Sequence, residues 1–204
     1  QFEMFSTSLG KTFKHLNAFS NISGGIQGFL NNQQVQTGFA FIPTPYSEYT
    51  FELDVKHYNE MPSVNKLNRP FDSGIMLDIQ LLSSLPVNGI SYDDVNLKGY
   101  QLFNMQHPTL RGAVVKYPYG SADFSWLTTP SDDVTEQLNT IPDEGTYNVK
   151  ITRKNSKFDV IVTYDGSVIN VYSGFQSKYG GGHIGLQYEG GKVDYTNIRL
   201  SQVA

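Results

Sequence analysis

Strict alternation of apolar and polar residues marks the clearest segments of the chain. Phe51, Leu53 and Val55 alternate with Glu52, Asp54 and Lys56, a period of two that belongs to a half-buried strand. Tyr147, Val149 and Ile151 repeat it, as do Phe158, Val160 and Val162. Turn-forming pairs punctuate the second half: Asn155-Ser156 follows one run, and Asp165-Gly166 leads from the next into Val168 to Tyr172, so three antiparallel strands are expected there. The last regular stretch, Gly181 to Leu200, has Ile184, Leu186 and Tyr188 on one face and, after Gly190-Gly191, Val193 and Tyr195 on one face. It reads as a closing β-hairpin. Beyond Tyr195 the apolar positions change phase to Ile198 and Leu200, which predicts a bulge near Thr196 or Asn197.

The first half is less regular. Residues 1–21 read as an opening strand and a loop, and Phe29 to Val35 as a hairpin turning through Asn31 to Gln34. Gly38 to Ile42 is a short strand stopped by Pro43, Ser73 to Leu82 a strand carrying Ile75, Leu77 and Ile79, and Gly99 to Met105 and Ala113 to Val115 are shorter pieces. Asn59 to Arg69 and Ser83 to Lys98 read as long loops, of a length that invites a function. Lys116 to Trp126 is the most aromatic loop, with Tyr117, Tyr119, Phe124 and the only tryptophan. Ser131 to Asn139 is expected to form one or two helical turns capped by Ser131.

Composition strengthens the all-β reading. Among 204 residues, 13 Tyr, 13 Phe and 19 Gly with only 17% charged residues suit many strands and tight turns better than amphipathic helices. With no dividing linker, the expectation is one domain over residues 1–204, a two-sheet antiparallel jelly-roll sandwich. A net charge of -4 and no basic cluster interleaved with aromatics argue against nucleic acid. No apolar run approaches the roughly 20 residues of a spanning helix. The absence of Cys excludes disulfides and thiol catalysis without fixing a compartment.

Several motifs, taken in order, resemble a known family: DSGIMLD (Asp72 to Asp78), GYQLF (Gly99 to Phe103), RGAVVKY (Arg111 to Tyr117), the strands from Tyr147 to Tyr172, and the terminal GHIGLQYEGGKVDYTNIRL. This order is similar to that of the DUF1080, or 3-keto-disaccharide hydrolase, family, whose fold is the concanavalin A-like lectin/glucanase jelly roll. The resemblance implies a glycan as partner, an oligosaccharide or polysaccharide, and a secreted or cell-surface location. Members typically have an arginine at the position of Asp78, a glutamate at that of Gln101 and a histidine at that of Glu189. Each difference removes or changes a group that acid–base chemistry could use.

Sugars are gripped by stacking of their C–H faces on aromatic rings, with amides and carboxylates taking the hydroxyls. Trp126, Tyr117 and Tyr119 are the stacking candidates, with Tyr100 and Gln101 beside them. Hydrolysis needs two carboxyl groups about 5 to 9.5 Å apart, and Glu189 with Asp78 is the candidate pair. No E-x-D-x-E strand, as found in jelly-roll glucanases, supplies them instead. The four histidines have no zinc spacing. Calcium is possible, because relatives of this architecture often hold one and Asp72, Asp93, Asp94, Asp132, Asp133 and Asp194 offer oxygen donors. Three functions follow: a secreted carbohydrate-binding module; a glycoside hydrolase of the 3-keto-disaccharide type; or a structural or adhesive surface protein.

Overall fold

A computed structural model of the chain describes residues 14–15, 19–29, 38–44, 46–58, 72–83, 96–104, 110–117, 124–126, 145–189 and 192–203. Every regular element among them is a strand: β1 (Lys14–His15), β2 (Phe19–Ile22), β3 (Gly25–Phe29), β4 (Gly38–Pro43), β5 (Tyr49–Tyr58), β6 (Asp72–Leu81), β7 (Leu97–Asn104), β8 (Leu110–Tyr117), β9 (Phe124–Trp126), β10 (Thr146–Lys154), β11 (Lys157–Tyr164), β12 (Ser167–Gln176), β13 (His183–Glu189) and β14 (Lys192–Gln202). They form two seven-stranded sheets. Sheet A runs β1-β4-β13-β6-β7-β8-β9 and sheet B runs β12-β11-β10-β5-β14-β3-β2, with antiparallel pairing throughout. This is the expected all-β jelly-roll sandwich.

The alternating runs supply the core. Phe51, Leu53 and Val55 of β5 and Val149 and Ile151 of β10 face Ile75 and Leu77 of β6 and Ile184 and Leu186 of β13, all with little or no exposure. The expected turns form where the sequence offers residues that accept positive φ: Asn155 and Ser156 at 53° and 61°, and Asp165 at 51° before Gly166. The bulge in the final strand is present, with a register shift between Thr196 and Arg199 and Asn197 at φ 48°.

The expected closing hairpin is absent because its two strands lie in different sheets. β13 pairs with β4 and β6 in sheet A, whereas β14 pairs with β3 and β5 in sheet B, so the two strands belong to different layers. The turn and second arm of the hairpin expected from Phe29 to Val35 lie outside the described residues; β3 belongs to sheet B and β4 to sheet A, and β2 and β3 form a hairpin turning at Ser23-Gly24. Alternation reports which residues are buried; it is blind to which of two facing layers buries them. Trp126 also moves from the expected loop to strand β9, paired with Ala113 of β8. The expected loops 59–69 and most of 83–98, and the helical turns at 131–139, lie outside the described residues, as does Tyr119.

Candidate functional site

Alternation and register define which positions share the outer face of sheet A, the side away from sheet B. Ile184, Leu186 and Tyr188 enter the core, which leaves Gly185, Gln187 and Glu189 on the outer side. The same rule puts Asp72, Gly74 and Met76 of β6, Gln101 and Phe103 of β7, and Arg111, Ala113, Val115 and Tyr117 of β8 there. Register then aligns a row across the sheet: Phe41, Gly185, Met76, Gln101, Ala113, Trp126. Toward one end, Glu189 stands directly opposite Asp72. Four candidates chosen from the sequence, Trp126, Tyr117, Gln101 and Glu189, therefore occupy positions on one face.

The centre of this face is polar and closed. Gln101 and Gln187 are fully buried, and the Gln101 amide Nε2 donates to Gln187 Oε1 across the intervening strand β6. They meet because Gly74 lies between them: a Cβ there would stand 2.2 Å from Gln101 Nε2. Phe41, Met76 and Val115 on the same face are buried too.

Asp78 and Tyr100 lie elsewhere. Simple alternation from Asp72, Gly74 and Met76 would set Asp78 on the outer face, but β6 bulges there, with register shifts against both β7 and β13. Asp78 takes φ 51°, and its carboxylate turns into the sandwich, where the residue is 1% exposed. Arg153 of sheet B, 2% exposed, donates through Nε to Oδ1 at 3.0 Å and through its terminal nitrogen to Oδ2 at 3.0 Å. The Ser177 hydroxyl also donates to Oδ2. Arg153 uses its remaining donors on the carbonyls of Ser47, at 2.6 Å, and Tyr179, at 2.7 Å. Burial, and then the Asp78 charge, push the nearby Tyr49 phenol far above the usual tyrosine range. A sealed carboxylate held by an arginine and a hydroxyl cannot exchange protons with a substrate, so the expected acid–base role of Asp78 does not fit its surroundings. Tyr100 is a core residue, 3% exposed, whose hydroxyl accepts from the Lys178 N–H at 2.9 Å.

Sequence reasoning also missed Gln187 and Arg111 on the outer face, and took Asp72 only as a possible calcium donor. Gln187 follows from the alternation of β13 and was legible there. Asp72 and Arg111 needed register, because nothing in the chain pairs Glu189 with Asp72 or places Arg111 opposite Phe103. Among the described residues no three acidic or histidine side chains converge as a metal site. Asp194, one expected calcium donor, receives hydrogen bonds from Gln27 Nε2 at 2.8 Å and Tyr58 Oη at 2.7 Å on the outer side of sheet B. Asp93, Asp94, Asp132 and Asp133 lie outside the described residues. Among the described residues no helix is long and apolar enough to cross a membrane.

Two facing antiparallel sheets with this strand order define a concanavalin A-like jelly roll, and solved structures agree. The carbohydrate-binding module CBM66 from Bacillus subtilis superposes with a TM-score of 0.59 at 14% identity, covering 94% of this chain and 96% of that one. A legume lectin-like domain from Entamoeba histolytica gives 0.60 at 9% identity, covering 96% and 92%. The exoplasmic/lumenal domain of VIP36, solved with Ca2+ and Man3GlcNAc, gives 0.61 at 10% identity, covering 95% and 84%. Likeness at these identities establishes the fold. The 3-keto-alpha-glucoside-1,2-lyase-like domain family matches residues 10–201, and the chain belongs to that family. No curated protein sequence matches it.

Proposed function

We propose that this domain recognises carbohydrate, and that the saccharide lies along the outer face of sheet A toward β8 and β9, with Trp126 and Tyr117 as stacking platforms and Glu189 and Arg111 taking hydroxyl or charged groups. The observation that carries this is the placing of Trp126, Tyr117, Arg111 and Glu189 on one face of sheet A by alternation and register, in a family whose domain is named for action on glucosides. Gln101 and Gln187 set the floor beneath them. The likeness to a carbohydrate-binding module and to a domain solved with Man3GlcNAc supports the reading. On this reading the domain works outside the cell or at its surface, where polysaccharide is met. On a glycan array, Trp126→Ala should lower the affinity for any bound glycan about tenfold, the loss expected for removing one stacking ring. Unchanged binding would remove Trp126 from the site.

One further observation favours a catalytic version of the same site. Glu189 and Asp72 occupy directly opposed register positions on the outer face, and opposed positions in an antiparallel pair bring Cβ atoms to about 4.5–5.5 Å. That is a better acid pair than Glu189 with the sealed Asp78. Incubation with 3-keto-glucosides should then yield cleavage that Glu189→Gln and Asp72→Asn each abolish, and no turnover with the unaltered protein would leave binding alone.

A further inference from the structure

At the end of the sandwich where β6 stops and β7 and β13 begin, the chain collects cations around an aromatic ring. Tyr179, half-buried in the β12–β13 connection, stands edge-on to Tyr100 with centroids 5.6 Å apart. Lys178 Nζ lies 5.6 Å and Lys98 Nζ 5.8 Å from the Tyr179 ring centroid. Lys116 of β8 stands directly opposite Lys98 of β7. All three lysines are exposed, and none forms an ion pair among the described residues. Like charges directly opposed on a strand pair are destabilising. In a chain with a net charge of -4, three cations gathered at one end are not the by-product of a basic surface.

The scaffold beneath is fixed and the space beside it is free. The Tyr179 carbonyl accepts from Arg153 at 2.7 Å, its N–H donates to Ser177 Oγ at 3.1 Å, and the Gly181 carbonyl accepts from Gln80 Nε2 at 2.6 Å. The buried Asp78–Arg153 pair thereby positions the ring from below. A Cβ built on Gly180 or Gly181 would meet no atom within 4 Å, so a ligand can approach the backbone closely.

We infer that this corner is a subsite for an anionic sugar, a uronate whose ring packs on Tyr179 and whose carboxylate is received by Lys98, Lys116 and Lys178. The ammonium groups sit near the far limit of a cation–π contact and can swing to a carboxylate for a stronger, charge-assisted bond. The inference rests on the glycan reading for its sugar but uses none of the outer-face residues, because Glu189 and Asp72 lie at the opposite ends of β13 and β6.

Calorimetric titration with trigalacturonic acid, its neutral methyl ester and a sulfated galactose trisaccharide tests it. The acid should bind the unaltered protein at least tenfold more tightly than the ester at low salt, with the gap narrowing at high salt. Lys98→Gln with Lys178→Gln, both at exposed positions, should abolish that preference, and Tyr179→Ala should weaken acid and ester alike. Equal affinities for acid and ester, or a preference that survives the lysine changes, would overturn the subsite, and tighter binding of the sulfated sugar would overturn its assignment to uronates. Trp126→Ala should leave the acid preference intact. If acid binding needs the lysines while no neutral glycan binds, the outer-face reading falls and this subsite stands.

Discussion

Asp78 shows how much chemistry a single backbone angle decides. An acid in an otherwise apolar strand reads from the sequence as a functional carboxylate, and only the bulge at φ 51° turns it inward to Arg153. Removing one member of such a buried pair leaves the other charge uncompensated. Asp78→Asn or Arg153→Met should each cost about 3–5 kcal/mol in urea unfolding, whereas Asp78→Leu combined with Arg153→Met should recover much of the loss. A catalytic Asp78 would behave differently, losing activity at Asp78→Asn with little change in stability. The apolar neighbours Ile75, Leu77 and Ile79 were legible as core; the inward turn was not, since it depends on residues about 20 and about 100 positions away in the chain.

Those distant residues act at the scale of the element. Gly99 of β7 and Gly182, just before β13, flank the β6 bulge on its two sides: a Cβ on Gly99 would lie 2.9 Å from the Asp78 carbonyl oxygen, and one on Gly182 2.6 Å from the Asp78 carbonyl carbon. Both obstacles are backbone and cannot swing aside. Gly182→Ala should therefore destabilise by about 1–3 kcal/mol, as overpacking does. Gly180→Ala, facing open space, should stay within about 0.5 kcal/mol in the same denaturant titration. Turns were the most legible elements, because Asn155-Ser156 and Asp165-Gly166 declare themselves through residues that tolerate positive φ. The outer face was legible strand by strand from period two, but the opposition of Glu189 and Asp72 was not, as register between distant strands leaves no local trace.

Across the whole molecule, the two layers are tied by a few polar groups within an apolar interior. Arg153 reaches from sheet B to Asp78 in sheet A, and the Tyr195 hydroxyl of β14 donates to the Gln187 carbonyl of β13 at 2.8 Å. His57, at the inner side of β5, bonds Tyr147 through Nε2 at 2.9 Å, and burial pushes its pKa down from 6.5 to about 3. The unfolded chain thus takes up a proton at His57 before the folded one does. Its contribution to stability is intact above about pH 6.5 and is lost at about 1.4 kcal/mol per pH unit as the pH falls toward 3. The acid slope of unfolding free energy should be shallower in His57→Gln over that window; identical slopes would deny the burial effect. The all-β class was readable from alternation and composition, while the assignment of strands to layers was not, since both layers impose the same period.

That assignment has a consequence for assembly. β13 fills the gap between β4 and β6, and β14 the gap between β5 and β3. Until residues 183–202 leave the ribosome, each layer consists of two unjoined parts, so completion of both halves of the sandwich must await the arrival of this segment.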